Sequence, residues 1–176
     1  PQGQEDMVNT LLALNKHTVV YMQAIGQMDI ESFKDTAPAI LWSTYNGQAQ
    51  GNAAGRILFG EKDPAAKLPF TWYSDLDQLD SILDYNIRTR EATEEREGSN
   101  GRTYQYFSGD VTYPFGYGLT YSSFTYSGLT ISDSEVTPDD TLKVEFDVTN
   151  TSARDGAEIA QVYVVSPGAD KINRPA

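Results

Sequence analysis

Carboxylates are the side chains in this sequence with the widest chemical range, since a pair of them can supply a nucleophile and a general acid. Asp29 and Glu31 flank a short stretch with helical character, where a carboxylate near the first turn favours the helix dipole. Capping is therefore the better reading there than catalysis. Glu94, Glu95 and Glu97 lie in a polar stretch and can reach a neighbouring site, although solvation of a loop is the better reading. His17 is the only histidine; it stands at a polar turn without the second ligand or the hydroxyl partner that metal or triad chemistry requires. Arg102, close to Tyr104 and Tyr106, combines a planar cation with aromatic faces, which suits anchoring at a domain boundary ahead of direct sugar contact. Arg102, Tyr104 and Glu97 are the candidate substrate-binding or interface residues. The sequence contains no cysteine, hence no thiol nucleophile, disulfide or thiolate metal site. No metal site and no cofactor are expected.

Composition narrows the partners. The 176 residues carry a formal net charge of −12, which repels nucleic acid and anionic membranes and favours a neutral substrate or a protein partner. The first fifteen residues are acidic at their start and only briefly apolar, unlike a signal peptide or a membrane span. A secretion signal, if the parent has one, is expected upstream.

These side chains need elements to position them. Met7, Leu11 and Leu14 recur at helical spacing, which predicts an amphipathic helix over 4–14. Residues 18–25 form a β-branched apolar run and predict a buried strand. A short helix is expected at 29–33 and a second strand at 39–45, an order that indicates an α/β layer with parallel strands. Gly47, Gly51 and Gly55 fall on one helical face and predict close helix-to-sheet packing. The same Gly-rich start can bind phosphate through backbone N–H groups. It matches neither GxGxxG nor GxxxxGK[ST], so packing is preferred. Residues 67–73 read as an edge strand, and 74–110 as a long polar stretch without regular structure, of a length that points to function or an interface. Trp42 and Trp72 fall in the predicted strands and are assigned to the core.

Strands are predicted at 124–131, 142–148 and 159–165, with turn signals at the spacing of a β-sandwich. An immunoglobulin-like or fibronectin type III-like domain needs about seven strands and ~100 residues. The β region is therefore expected to be incomplete, with exposed strand edges that make the isolated chain prone to aggregation. Asn150-Thr151-Ser152 fits the N-glycosylation pattern in a predicted turn, relevant to a secreted eukaryotic protein.

Several ordered strings, TVVYMQAIG, GNAAGRILFGEKDPAAKLPFTW, GRTYQYF and YPFGYGLTYSSF, resemble the C-terminal half of family 3 glycoside hydrolases. The resemblance implies the C-terminal part of an α/β/α sandwich domain over 1–73, linker and interface loops over 74–120, and a partial fibronectin type III-like domain over 121–176. It further implies a retaining, exo-acting β-glycosidase acting on terminal β-linked sugars of plant polysaccharide fragments, and a secreted or extracellular location. Its partners would be a β-linked oligosaccharide, a barrel domain and the remainder of the β domain, with neither nucleic acid nor membrane. Retaining enzymes place two carboxyl groups ~5 to 5.5 Å apart. In the family the nucleophilic Asp sits on the barrel and the acid/base Glu precedes a segment like 1–14. Neither motif has a matching position here, so no catalytic residue is carried over and the chain alone is expected to be inactive. Gly101-Arg102-Thr103-Tyr104, with residues 79–85 before it, looks more like the β-xylosidase and arabinofuranosidase branch than the typical β-glucosidase branch. A non-catalytic carbohydrate-binding or structural module is the alternative from another class.

Overall fold

The structure is a computed structural model that describes residues 2–15 and 17–164. Helix α1 spans Gln2–Leu14, with Glu5 in its first turn, where a carboxylate opposes the positive end of the helix dipole. The helix forms as expected, but the stripe it packs on the core is Val8 and Leu12, while Met7, Leu11 and Leu14, the face expected from the sequence, are exposed. Strand β1 (Val19–Gln23) and strand β2 (Ala39–Ser43) pair in parallel, Val19 opposite Ala39 and Gln23 opposite Ser43. A parallel pair needs a crossover connection. Residues 24–38 supply it, and the helix expected at 29–33 is a run of turns instead. Ile30 O accepts from the backbone amides of Phe33 and Lys34, while Asp29 Oδ1 accepts from Glu31 N at 3.1 Å. The turn is fixed by what it buries: Ile30 and Phe33 enter the core with Val20, Met22 and Trp72.

Helix α2 (Gln50–Leu58) follows a 3-10 turn at Gly47–Ala49. The glycine spacing does not produce the close packing expected of it. Gly47 has φ +71° and belongs to the turn, and a Cβ at Gly51 or Gly55 would meet nothing within 4 Å.

The expected edge strand over 67–73 is reduced to β3 (Trp72–Tyr73), which pairs antiparallel with β4 (Val111–Tyr113). Trp72 is only 2% exposed and its Nε1 donates to Met28 O at 2.9 Å, so the indole satisfies its one polar atom while Trp42, Phe70 and Tyr113 surround the ring. Both tryptophans therefore belong with the core, as their strand positions suggested.

Two antiparallel strands close the order, β5 (Phe124–Ile131) and β6 (Val144–Asn150), with a register irregularity between Ser127 and Thr130. The third strand expected at 159–165 is absent over 159–164, and Val165 lies outside the described residues. A strand exists only where a neighbour offers a ladder of N–H and C=O groups; among the described residues β5 and β6 bond only to each other.

The chain divides into two compact units. One comprises the described residues up to Ala54, then Leu68–Tyr117, with Tyr163 and Val164; the other comprises Gly55–Lys67 and Gly118–Val162. The second is organised by Asp63, whose carboxylate accepts from Tyr121 N at 2.7 Å, Thr120 Oγ1 at 2.9 Å and Ala157 N at 3.3 Å. Nearby, Lys67 Nζ donates to Gly118 O at 2.7 Å and lies 3.4 Å from Glu158 Oε1. Glycine is required at 118, because a Cβ there would come within 2.5 Å of Ala66 O.

Candidate functional site: a braced loop and the ends of the parallel strands

The polar stretch after β3 is more ordered than its composition suggests. It contains a 3-10 turn at Leu76–Gln78, an isolated bridge between Arg90 and Ser99, and helix α3 at Thr103–Tyr106. These short pieces are held by side chains. Asp80 lies 3.4 Å from Arg90 and accepts from Ser99 Oγ at 2.5 Å. Asp84 pairs with Arg90 at 3.2 Å and Arg96 at 3.5 Å, and hydrogen bonds from the backbone and side chain of Asn86, aided by the two arginines, hold its carboxyl below the usual range.

Arg102 is the centre of this frame. Its Nη2 donates to Asp80 O at 2.7 Å and Ser81 O at 2.8 Å, and its backbone N donates to Ile87 O at 2.8 Å. The two residues flanking it both have positive φ, +75° at Gly101 and +64° at Thr103. For glycine that conformation is free, and at 101 it is also sterically demanded, since a Cβ would approach Tyr106 O to 2.5 Å. For a β-branched threonine it is strained. The guanidinium does not stack on Tyr106; Arg88 does, with Cζ 4.9 Å from the ring centroid.

Tyr104 stacks on Phe115 with centroids 4.4 Å apart and meets Tyr163 edge-on at 6.1 Å. Arg102 and Tyr104 are thus brought onto one short segment but into different environments. Glu97 joins neither through its side chain: it is exposed, and only its carbonyl oxygen takes part, accepting from Arg90 Nε at 3.2 Å. Glu94 and Glu95 are exposed on the same loop, and His17 is exposed at the turn before β1. Glu31 accepts from Thr112 Oγ1 and lies 3.7 Å from Lys34 Nζ. Asn150, at the end of β6, is exposed; its Oδ1 accepts from Ser152 N and Oγ, and its Nδ2 donates to Arg154 O at 2.8 Å.

A second polar cluster escaped the sequence reading. At the carboxyl ends of β1 and β2, Tyr21 OH lies 2.9 Å from Ser43 Oγ and accepts from Gln23 Nε2 at 2.9 Å and Gln50 Nε2 at 3.4 Å. Hydrogen bonding to Ser43, then Gln23 and Gln50, holds the phenol below its ordinary pKa. The available signal was the general one that open α/β sheets gather ligands at the carboxyl ends of their strands. All four groups can exchange hydrogen bonds with a neutral, hydroxyl-rich molecule. Among the described residues no group of three or more His, Cys, Asp or Glu side chains is arranged to hold a metal ion, and no helix is long and apolar enough to cross a membrane.

Residues 1–121 match the C-terminal domain of glycosyl hydrolase family 3. The chain belongs to that family. It is 34% identical to a protein named probable β-glucosidase J of Aspergillus fumigatus, over 99% of this chain and 21% of the relative. It is 32% identical to a protein named xylan 1,4-β-xylosidase of Xylanibacter ruminicola, over 93% of this chain and 17% of the relative. Among solved structures, a family 3 β-glucosidase of Bifidobacterium adolescentis superposes with a TM-score of 0.72 at 28% identity, covering 95% of this chain and 26% of the other. A family 3 exo-β-xylosidase, solved with a xylobiose aziridine probe, gives a TM-score of 0.63 at 34% identity over 71% of this chain and 16% of the other. The chain therefore spans about a fifth of the length of the curated relatives it matches, and the matched part is the C-terminal one rather than the whole enzyme.

Proposed function

We propose that this chain is the C-terminal part of a retaining, exo-acting β-glycosidase that removes terminal β-linked glucose or xylose from fragments of plant polysaccharide. The catalytic carboxylates come from the parent polypeptide outside residues 1–176, and the chain itself is inactive. The supporting observation is that proteins named β-glucosidase and β-xylosidase alike match nearly its full length in sequence, and in fold a β-glucosidase matches 95% of it and an exo-β-xylosidase 71%. In this reading residues 1–73 are the C-terminal part of an α/β/α sandwich, consistent with the parallel β1–β2 pair. Residues 74–120 are interface loops that contain Arg102 and Tyr104, and 121–176 open a fibronectin type III-like domain, consistent with the antiparallel β5–β6 pair. Arg102 serves by bracing residues 80–81 and so shaping the interface, while Tyr104 and Glu97 face the neighbouring domain or the sugar. The location is extracellular or periplasmic, as the name of a periplasmic β-glucosidase of Salmonella typhimurium, 32% identical over 93% of this chain, suggests for that relative.

The test is the full reading frame. The purified parent is expected to release 4-nitrophenol from the β-glucoside or the β-xyloside with retention at the anomeric carbon, and residues 1–176 alone are expected to release none. A folded parent that turns over neither glycoside, or that binds oligosaccharide without cleaving it, overturns the enzyme reading in favour of a binding module.

A further inference from the structure

Loops normally turn polar side chains to water and apolar ones inward. Within residues 79–87, three large apolar side chains do the reverse. Ile82, Leu83 and Tyr85 are 83%, 80% and 89% exposed and lie within four consecutive residues, with the half-buried Asp84 between the last two. Beneath them the backbone is fastened from inside: Arg102 holds the carbonyls of Asp80 and Ser81, Asp84 N donates to Ser81 O at 2.8 Å, and Asn86 N donates to Asp84 Oδ1 at 2.9 Å. Arg90 lies within ion-pair distance of both Asp80 and Asp84. The charged groups are thus consumed as a frame, and three large apolar groups are presented on it. A rigid, polar-rimmed apolar patch of this kind marks an interaction surface.

We propose that Ile82, Leu83 and Tyr85 form a docking surface occupied by apolar side chains of the same polypeptide, contributed by the parent outside residues 1–176. This rests on the reading of the chain as part of a longer family 3 protein. Two observations select this occupant. The chain covers 21% of the length of the β-glucosidase J relative, so a protein of that length has about four fifths of its residues available to cover the patch. The patch is also too small for a free partner: a stable interface between separate molecules needs ~800 Å² per side, and three side chains offer on the order of half of that. Within one polypeptide, covalent linkage raises effective concentration and removes the need for area.

The experiment uses the full-length parent, after replacement of any native cysteine, with Ile82→Cys and Tyr85→Cys made singly and Thr137→Cys as a solvent-exposed reference. Maleimide labelling of the native protein is expected to be at least tenfold slower at 82 and 85 than at 137, about what a local opening equilibrium of one in ten produces, and equal at all three in denaturant. Equal native rates overturn the proposal. Protection that disappears on dilution to monomer also overturns it, since the occupant would then be a second copy. Leu83→Cys repeats the measurement if either variant fails to unfold cooperatively. Glycoside turnover is read separately: an inactive parent with protected thiols refutes the enzyme reading alone, and an active parent with exposed thiols refutes the docking surface alone.

Discussion

The carboxylate of Asp63 accepts the backbone amide of Tyr121 at 2.7 Å, joining positions 58 residues apart in sequence. The same group also receives Thr120 Oγ1 and Ala157 N, so one side chain gathers three strands of chain within its unit. Charge-assisted hydrogen bonds are worth more than neutral ones, and removing one partner leaves the others unmade. Asp63→Ala in the full-length protein is expected to lower stability by about 2–3 kcal/mol, read as a fall in urea midpoint at unchanged slope. Asp63→Asn, which retains one acceptor, is expected to lie between.

The same site sets a pH dependence. Burial pushes the Asp63 carboxyl up, but hydrogen bonds from Tyr121, Thr120 and Ala157, with the Arg154 guanidinium nearby, outweigh it and hold the group below the ordinary carboxylate value. A folded-state pKa below the unfolded one means that the stabilisation is present above the unfolded value of about 3.9 and is lost as pH falls through the folded value. The difference in urea midpoint between wild type and Asp63→Asn is therefore expected to be constant above about pH 5 and to shrink below about pH 4. A difference that instead grew on acidification would contradict the assignment.

Sequence patterning carried the elements whose stability is local or set by burial. The helical spacing of Met7, Leu11 and Leu14 gave α1, and the apolar runs gave β1, β2 and β5, whose bounds at Phe124 and Ile131 are those expected. What it missed depends on partners remote in sequence. β4 exists because Val111 and Tyr113 find Tyr73 and Trp72, and the order of residues 79–102 depends on Arg90 and Arg102 reaching back to Asp80. Neither pairing leaves a periodic trace. The candidate residues were legible by type, yet the Arg102 guanidinium, close in sequence to Tyr104 and Tyr106, serves backbone carbonyls, and a different arginine, Arg88, stacks on Tyr106. The expected third strand of the β region failed for the converse reason: its pattern is right and it lacks a ladder partner among the described residues.

Gly101 tests the frame directly. Gly101→Ala adds a Cβ that would come within 2.5 Å of Tyr106 O and 2.8 Å of Thr89 N, at a φ of +75°. Backbone atoms cannot yield as a flexible side chain can. A loss of at least about 2 kcal/mol is expected, combining ~1–2 kcal/mol for the left-handed conformation with the clash. Amide hydrogen exchange should accelerate first over residues 87–106.

The Asn150 amide has two hydrogens and donates one of them to Arg154 O. The other is free to be replaced by a glycan without loss of that bond. Secretion of the parent from a eukaryotic host is expected to yield a peptide over 144–154 that is heavier by an N-linked glycan, and Ser152→Ala is expected to abolish the increment while leaving Asn150 in place. An unmodified wild-type peptide would show that the tripeptide is not used.

Thr103 holds a left-handed backbone at φ +64° although its side chain is β-branched. Its amide donates to Tyr73 OH at 3.0 Å, and the segment around it carries Arg102 and Tyr104 to their partners. The strain is thus maintained by the bonds on either side. Asparagine visits the left-handed region more readily than threonine and keeps a side-chain oxygen able to accept from Gln105 N, as Thr103 Oγ1 does at 3.4 Å. Thr103→Asn is expected to raise stability by about 1 kcal/mol, the low end of the strain of a non-glycine residue held in the left-handed region, seen as a higher urea midpoint. If the glycosidase activity proposed for the parent falls while the midpoint rises, the strain serves to position this segment against the rest of the polypeptide. If the midpoint falls, Thr103 is not strained, and the frame around Arg102 has another source of rigidity.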